Sequence, residues 1–108
     1  ISSDTARQVS EMMYSVIENG YGNTGKVEGY RLSGKTGTAE RVDDTTGLYF
    51  ANTNTVSFIG FGPTDDPKVL VYVMIDYVTG ATGSEAAGPV WSVIMETALK
   101  KLQIPPSY

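Results

Sequence analysis

Gly29-Tyr30-Arg31-Leu32-Ser33-Gly34-Lys35-Thr36-Gly37-Thr38-Ala39-Glu40 can be read in two ways, and the choice decides the fold. Residues 29–36 satisfy every fixed position of the phosphate-binding pattern G-x-x-x-x-G-K-[ST]. The apolar run ending at Asp76 would then stand as the magnesium-holding partner motif. Such a loop follows a buried parallel strand and opens a helix, because the helix N-terminus and successive backbone N–H groups hold the phosphates. Neither flank fits. Residues 20–29 hold four glycines in ten positions and read as loop. Residues 37–47 carry no apolar stripe and many poor helix formers. The other reading makes Tyr30 to Glu40 a strand. Alternation then puts Lys35 and Gly37 on one side and Thr36 and Thr38 on the other. Gly37 has no side chain, so a bound backbone can approach and pair with the strand edge. A small nucleotide-binding protein using Gly29–Thr36 stays as the alternative.

Outward from this segment, the order is helix, three strands, helix. Val9, Met12, Met13, Val16 and Ile17 fall on one helical face. Ser2, Ser3 and Asp4 offer an N-cap and Asn19-Gly20 a stop, so the spacing predicts a helix over 4–18 with the methionines as core filler. Arg41 to Asn54 is polar and reads as a solvated excursion between two strands, the sharper reading being that it borders a cleft. Thr55 to Gly62 alternates, with Ser57, Ile59 and Phe61 on one side and Val56 and Phe58 on the other. Pro63 to Pro67 is dense turn chemistry. Val69 to Val78 is nearly all apolar, as for a central strand covered on both faces. A turn this short makes the two strands antiparallel. Thr79 to Gly88 reads as a small-residue loop, with Pro89 in the first turn of a helix. The helical stripe is Trp91, Ile94, Met95, Ala98 and Leu102, with Trp91 in the core, and Pro105-Pro106 ends it.

With 108 residues the chain makes one small domain. It begins at Ile1 without methionine, which suggests a piece of something longer. The charge of −4, without a clustered basic face, excludes the electrostatic footprint of a nucleic-acid binder. No cysteine and no histidine occur, so a Ser-His-Asp triad, a Cys-His pair and an imidazole or thiolate metal site are impossible within the chain. Lysine or a carboxylate must handle any protons. Asp43-Asp44 and Asp65-Asp66 read as turn residues, because no third metal ligand accompanies them.

Lys35-Thr36-Gly37 is the K-T-G motif carried on a strand of penicillin-recognising serine enzymes. The whole segment 29–40 resembles the surroundings of that motif in class B penicillin-binding proteins. Val56 to Pro63 is similar to the strand that follows it there. Asp66-Pro67 with Val69 to Asp76 looks like the turn and last strand. Ala87 to Trp91 and Ile104 to Pro106 resemble the closing helix and its exit, and Thr5 to Gly22 the helix before the motif strand. The likeness covers essentially the full chain in order.

That resemblance implies an α+β arrangement, helix, three antiparallel strands, helix, forming residues 1–108 as the C-terminal segment of a β-lactamase/transpeptidase-like domain. Lys35 and Thr38 would be its catalytic residues, and Lys35, Thr36, Gly37 and Thr38 its substrate-binding ones. Lys35 would attract the substrate's terminal carboxylate and the Thr36 and Thr38 hydroxyls would hydrogen-bond it. The Thr38 N–H would be one of two oxyanion donors. The family's nucleophilic serine belongs to an S-x-x-K motif, and a second wall to S-x-N. Neither tripeptide nor tetrapeptide occurs here, so the chain alone should be inactive. The parent would cross-link peptidoglycan stem peptides through a serine acyl-enzyme, without metal or cofactor, and bind β-lactams. Its partners would be the nucleophile-bearing remainder of the domain and the stem peptides. It would be anchored in the cell membrane and act on the extracytoplasmic face, in elongation or division. A serine β-lactamase is less similar at Thr38-Ala39-Glu40 and Ser57 to Phe61, and a non-catalytic module on the same fold is the remaining reading.

Overall fold

Alternation along the motif segment holds in three dimensions. The computed structural model describes residues 1–108. Ser33–Val42 forms β1, Tyr49–Gly62 forms β2 and Val69–Thr79 forms β3. They make an antiparallel sheet in the order β1-β2-β3. Helix α1 spans Ser3–Asn19 and α2 spans Gly83–Lys101, with a short 3-10 turn at Asn23–Gly25. This is the α+β arrangement expected of the sequence.

Both helices cover the same face. Val56 and Phe58 project there and are fully buried with Ile17, Leu32, Trp91, Met95 and Leu99. The Phe58 and Trp91 rings lie 4.8 Å apart between centroids, and Trp91 Nε1 donates to the Val71 carbonyl at 2.9 Å. That bond satisfies the one polar atom of the indole inside the core. Polar groups buried where α1 meets β1 are likewise paired. Ser33 Oγ donates to the Ser10 carbonyl at 2.7 Å and lies 3.0 Å from Thr64 Oγ1. Arg31 fastens the same corner, reaching Glu11 at 2.9 Å and Asp65 at 3.1 Å while stacking 4.0 Å over Tyr14.

Helix α1 begins where its caps dictate: Ser2 Oγ accepts from the Thr5 N–H at 3.1 Å, and Gly20 is the C-cap. Its apolar stripe is not a core stripe, however. Ile17 is its one buried residue, and Met12 is 62% exposed. The helix meets the sheet along its C-terminal half, from Ser10 to Ile17, with Met12 turned to solvent and Met13 half-buried, so neither methionine belongs to the buried core.

Three further expectations are corrected. Arg41 to Asn54 is not a loop excursion, because β1 and β2 run on into a hairpin closed by Asp43–Leu48. There the Asp43 N–H donates to the Leu48 carbonyl at 2.7 Å. Strand β3 is not central and not covered twice. It forms the edge opposite β1, and Leu70, Tyr72 and Met74, paired with Phe61, Ile59 and Ser57, stand 69%, 57% and 59% exposed on the helix-free face. Helix α2 starts six residues before Pro89. Thr82 Oγ1 accepts from the Glu85 N–H at 3.2 Å and donates to Glu85 Oε1 at 3.0 Å, a side-chain cap that nucleates the helix earlier. Pro89 then sits inside α2, and the buried positions are Gly83, Ala87, Gly88, Trp91, Met95 and Leu99 rather than Ile94 and Leu102.

Candidate functional site

Strand β1 has one neighbour, so Lys35 to Thr38 run extended along a free sheet edge. Lys35 lies opposite Ile59, Thr36 opposite Phe58, Gly37 opposite Ser57 and Thr38 opposite Val56. No helix opens at Thr36, since the strand continues to Val42. The geometry of a phosphate-binding loop is therefore absent, and the nucleotide alternative falls with it.

Lys35 projects from the helix-free face. Its Nζ donates to the Thr36 carbonyl at 3.0 Å and lies 3.4 Å from Thr36 Oγ1. It takes part in none of the ion pairs of the molecule. An exposed ammonium with no carboxylate partner, on an edge that offers backbone groups, can receive an anion and a peptide together. The space a side chain at Gly37 would need is taken by its cross-strand neighbour, since a Cβ there would lie 2.5 Å from Ser57 Oγ.

Thr36 and Thr38 project from the opposite face, toward the start of α2. Sequence reasoning missed the residue that packs on the backbone between them. Gly83, assigned to a loop, is the first residue of α2 and packs on the motif strand itself. A Cβ on Gly83 would come within 2.7 Å of the Ser57 carbonyl oxygen, 2.8 Å of the Gly37 carbonyl oxygen and 3.3 Å of the Gly37 nitrogen. The helix N-terminus, with its partial positive charge, thus abuts the backbone of Gly37. The signal was present in the sequence as Thr82-x-x-Glu85, the pattern of a capping box.

The paired aspartates have structural partners of their own. Asp43 accepts from the Thr45 hydroxyl at 2.6 Å and from its N–H at 2.9 Å, Asp65 pairs with Arg31, and Asp66 pairs with Lys68 at 3.2 Å. No group of three acidic side chains is disposed to hold a metal ion. The largest concavity, about 590 Å³, lies beyond the start of β1, between Pro63, Asp65, Lys68 and the exit segment Leu102 to Ser107. It carries no free nucleophile or uncompensated charge cluster, so the motif edge, though shallow, is the better candidate. No helix is long and apolar enough to cross a membrane.

Comparison with known proteins gives concordant results. The profile for the penicillin binding protein transpeptidase domain matches residues 1–96. Stage V sporulation protein D of Bacillus subtilis is 44% identical over 108 residues, covering 98% of this chain and 16% of that protein. The probable peptidoglycan D,D-transpeptidase PenA of Neisseria flavescens is 40% identical, covering 99% of this chain and 27% of that protein. The chain thus spans well under a third of the length of these relatives. Among solved structures, the transpeptidase domain of Burkholderia pseudomallei penicillin-binding protein 3 superposes with a TM-score of 0.87 at 36% identity, over all of this chain and 33% of that one. Penicillin-binding protein 3 of Mycobacterium tuberculosis, solved with ampicillin, gives 0.86 at 26% identity over 99% of this chain and 26% of that one.

Proposed function

Because the chain belongs to the penicillin-binding protein transpeptidase domain family, we propose that it is the C-terminal segment of a peptidoglycan D,D-transpeptidase domain and supplies that domain's substrate-gripping strand. The observation that carries this reading is the extended run of Lys35 to Thr38 on a free sheet edge, with an unpaired ammonium on it.

The substrate is a stem peptide ending in D-Ala-D-Ala. Lys35 draws in its terminal carboxylate, and the Thr36 and Thr38 hydroxyls hydrogen-bond that group or the equivalent one of a β-lactam. The peptide lies along β1, where Gly37 admits its backbone. A serine from the remainder of the domain attacks the penultimate D-Ala carbonyl and releases the last D-Ala. A neighbouring stem's amine then attacks the ester and forms the cross-link. The Thr38 N–H donates to the oxyanion of each tetrahedral intermediate, a contribution of about 10²–10³ in rate for one donor. The step calls for no metal or cofactor. The nucleophile-bearing remainder covers the face carrying Leu70, Tyr72 and Met74, whose exposure is unusual for a folded surface. The parent protein is anchored in the membrane and works on the extracytoplasmic face.

Fluorescent penicillin tests this reading. The chain alone should remain unlabelled, because it lacks the nucleophile. The complete domain should be labelled, and Lys35→Ala in it should slow labelling by about 10²-fold or more, as for loss of a charge acting in the transition state. Labelling of the chain alone, or unimpaired labelling of the Lys35→Ala domain, would overturn it.

A further inference from the structure

Three residues beyond Thr38, both ladders of the sheet break at the same level. Between β1 and β2 the register passes from Glu40 opposite Asn54 directly to Val42 opposite Tyr49, so residues 50–53 have no partner on β1, while Thr53 still lies opposite Thr79 of β3 and Asn52 accepts from the Gly80 N–H at 3.1 Å. Between β2 and β3 it passes from Val56 opposite Ile75 to Asn54 opposite Val78, which sets Asp76 and Tyr77 against Thr55 alone. Tyr77 takes a left-handed backbone with φ of 55°, and Asn52 does the same at 55°. A non-glycine residue in that region is held there by its surroundings. The hairpin of residues 42–51 is thus an arm that the backbone ladder holds from β3 through Asn52 and Thr53 and that β1 joins across a break at Arg41.

One side chain bridges that joint. Arg41 leaves β1, passes over β2 and reaches β3. Its Nη1 lies 3.2 Å from Asp76 Oδ1, its Nη2 donates to the Tyr77 hydroxyl at 2.5 Å, and its guanidinium carbon sits 4.2 Å over the Tyr77 ring. Thr55 of β2 donates its hydroxyl to the same Asp76 oxygen, and so does the Tyr77 N–H at 3.1 Å. All three strands are therefore fastened through one carboxylate and one guanidinium. Arg41 Nε is buried without a partner, so the side chain gives up one hydrogen bond to hold this pose. A flat, forked donor is suited to such a bridge in a way that an ammonium is not.

The arm carries exposed apolar side chains, Val42, Leu48, Tyr49 and Phe50. A strand rises about 3.3 Å per residue, so Val42 lies about 13 Å beyond Thr38 along β1. A ligand that ends near Thr38 does not meet the arm, whereas an extended peptide continuing along the edge does. We propose that Arg41 is a positioning residue that clamps the arm of residues 42–51 beyond the far end of the Lys35–Thr38 edge, where the arm contacts long peptide substrates but not short acylating ligands. The inference rests on the proposed transpeptidase reading for its substrate, but not for the clamp itself.

The test uses the complete transpeptidase domain with Arg41→Ala, Arg41→Lys and Tyr77→Phe, and reads two things. In hydrogen exchange, Arg41→Ala speeds the amides of residues 43–51 by about tenfold or more while those of residues 34–38 stay as they were, the mark of a local opening. In kinetics, Arg41→Ala raises KM for a stem peptide by about fivefold or more while benzylpenicillin acylation stays within about twofold. Arg41→Lys, which keeps the charge opposite Asp76 but not the fork, falls between. Exchange that rises equally across both segments, or not at all, overturns the clamp. Peptide and penicillin rates that fall together overturn the substrate role, because a loss of folded protein lowers both. If the parent domain proves not to react with penicillin, the transpeptidase reading fails while the exchange result still decides the clamp.

Discussion

Gly83 and Gly37 meet backbone to backbone, so that a methyl group on the first would stand 2.8 Å from the carbonyl oxygen of the second. The start of α2 thereby sets how far the motif strand sits from the helical layer. Gly83→Ala in the complete domain should push the two apart. The expected cost is about 1–3 kcal/mol, as for overpacking at other tight sites. Denaturant midpoints measure it. Penicillin acylation should fall as well, because the displaced strand carries the Thr38 N–H. A variant with unchanged stability and unchanged acylation would show that the contact relaxes freely.

Trp91 joins α2 to the sheet in two ways, by ring contact with Phe58 and by a hydrogen bond to Val71. Two substitutions separate them. Trp91→Phe keeps most of the ring contact but leaves the Val71 carbonyl without its partner, a loss of about 1–3 kcal/mol. Trp91→Ala also opens a cavity, and about 3–5 kcal/mol is expected. If Trp91→Phe were neutral in thermal unfolding, water would have to reach that carbonyl.

What could be read from the residues divides along a physical line. The motif strand and the core positions of β2 were legible because alternation is local: Lys35 with Gly37, and Val56 with Phe58, separate by period alone. The start of α2 is also local, set by the cap of Thr82 and Glu85, and Pro89 is a misleading signal because a proline fits a first turn equally well. Strand β3 was misread for a different reason. An unbroken apolar run calls for cover on both faces, and this chain covers only one, so Leu70, Tyr72 and Met74 stand bare. The Arg41 bridge was not legible at all. Arg41 and Tyr77 are 36 positions apart, and they meet only because two bulges bring the strand ends to one level.

Acid should loosen the hairpin first. The Thr45 hydroxyl, then its N–H, hold the Asp43 carboxyl below its ordinary 3.8. The Thr55 hydroxyl, then the Arg41 guanidinium, do the same for Asp76. In each case the folded chain binds its proton less tightly than the unfolded chain. Their contribution is therefore complete above the unfolded value and is lost as pH falls through the lower folded value. Asp43→Asn should flatten the decline of melting temperature as pH falls below the ordinary 3.8. Carboxyl carbon titration by NMR should place the Asp43 midpoint below 3.8. A midpoint at or above that value would contradict the turn geometry.

The bare face of the sheet makes a prediction with opposite signs in two contexts. Tyr72 lies in the middle of it, flanked by Leu70 and Met74 on an edge strand with no proline or lysine to guard it. A long apolar edge of this kind invites pairing between copies. The chain alone should therefore self-associate with rising concentration and bind a hydrophobic dye. Tyr72→Lys should raise its monomer fraction and lower dye binding, at a stability cost within about 0.5 kcal/mol, because the site is exposed. In the complete domain the same lysine would be buried against the nucleophile-bearing part without a partner. There it should cost about 3–5 kcal/mol, the penalty of an uncompensated buried charge, and penicillin labelling should be lost with it. Light scattering and thermal unfolding of the two pairs of proteins check both signs. A complete domain that tolerates Tyr72→Lys would mean that the nucleophile-bearing half does not pack on this face, and its serine would then have to reach Thr38 from another direction.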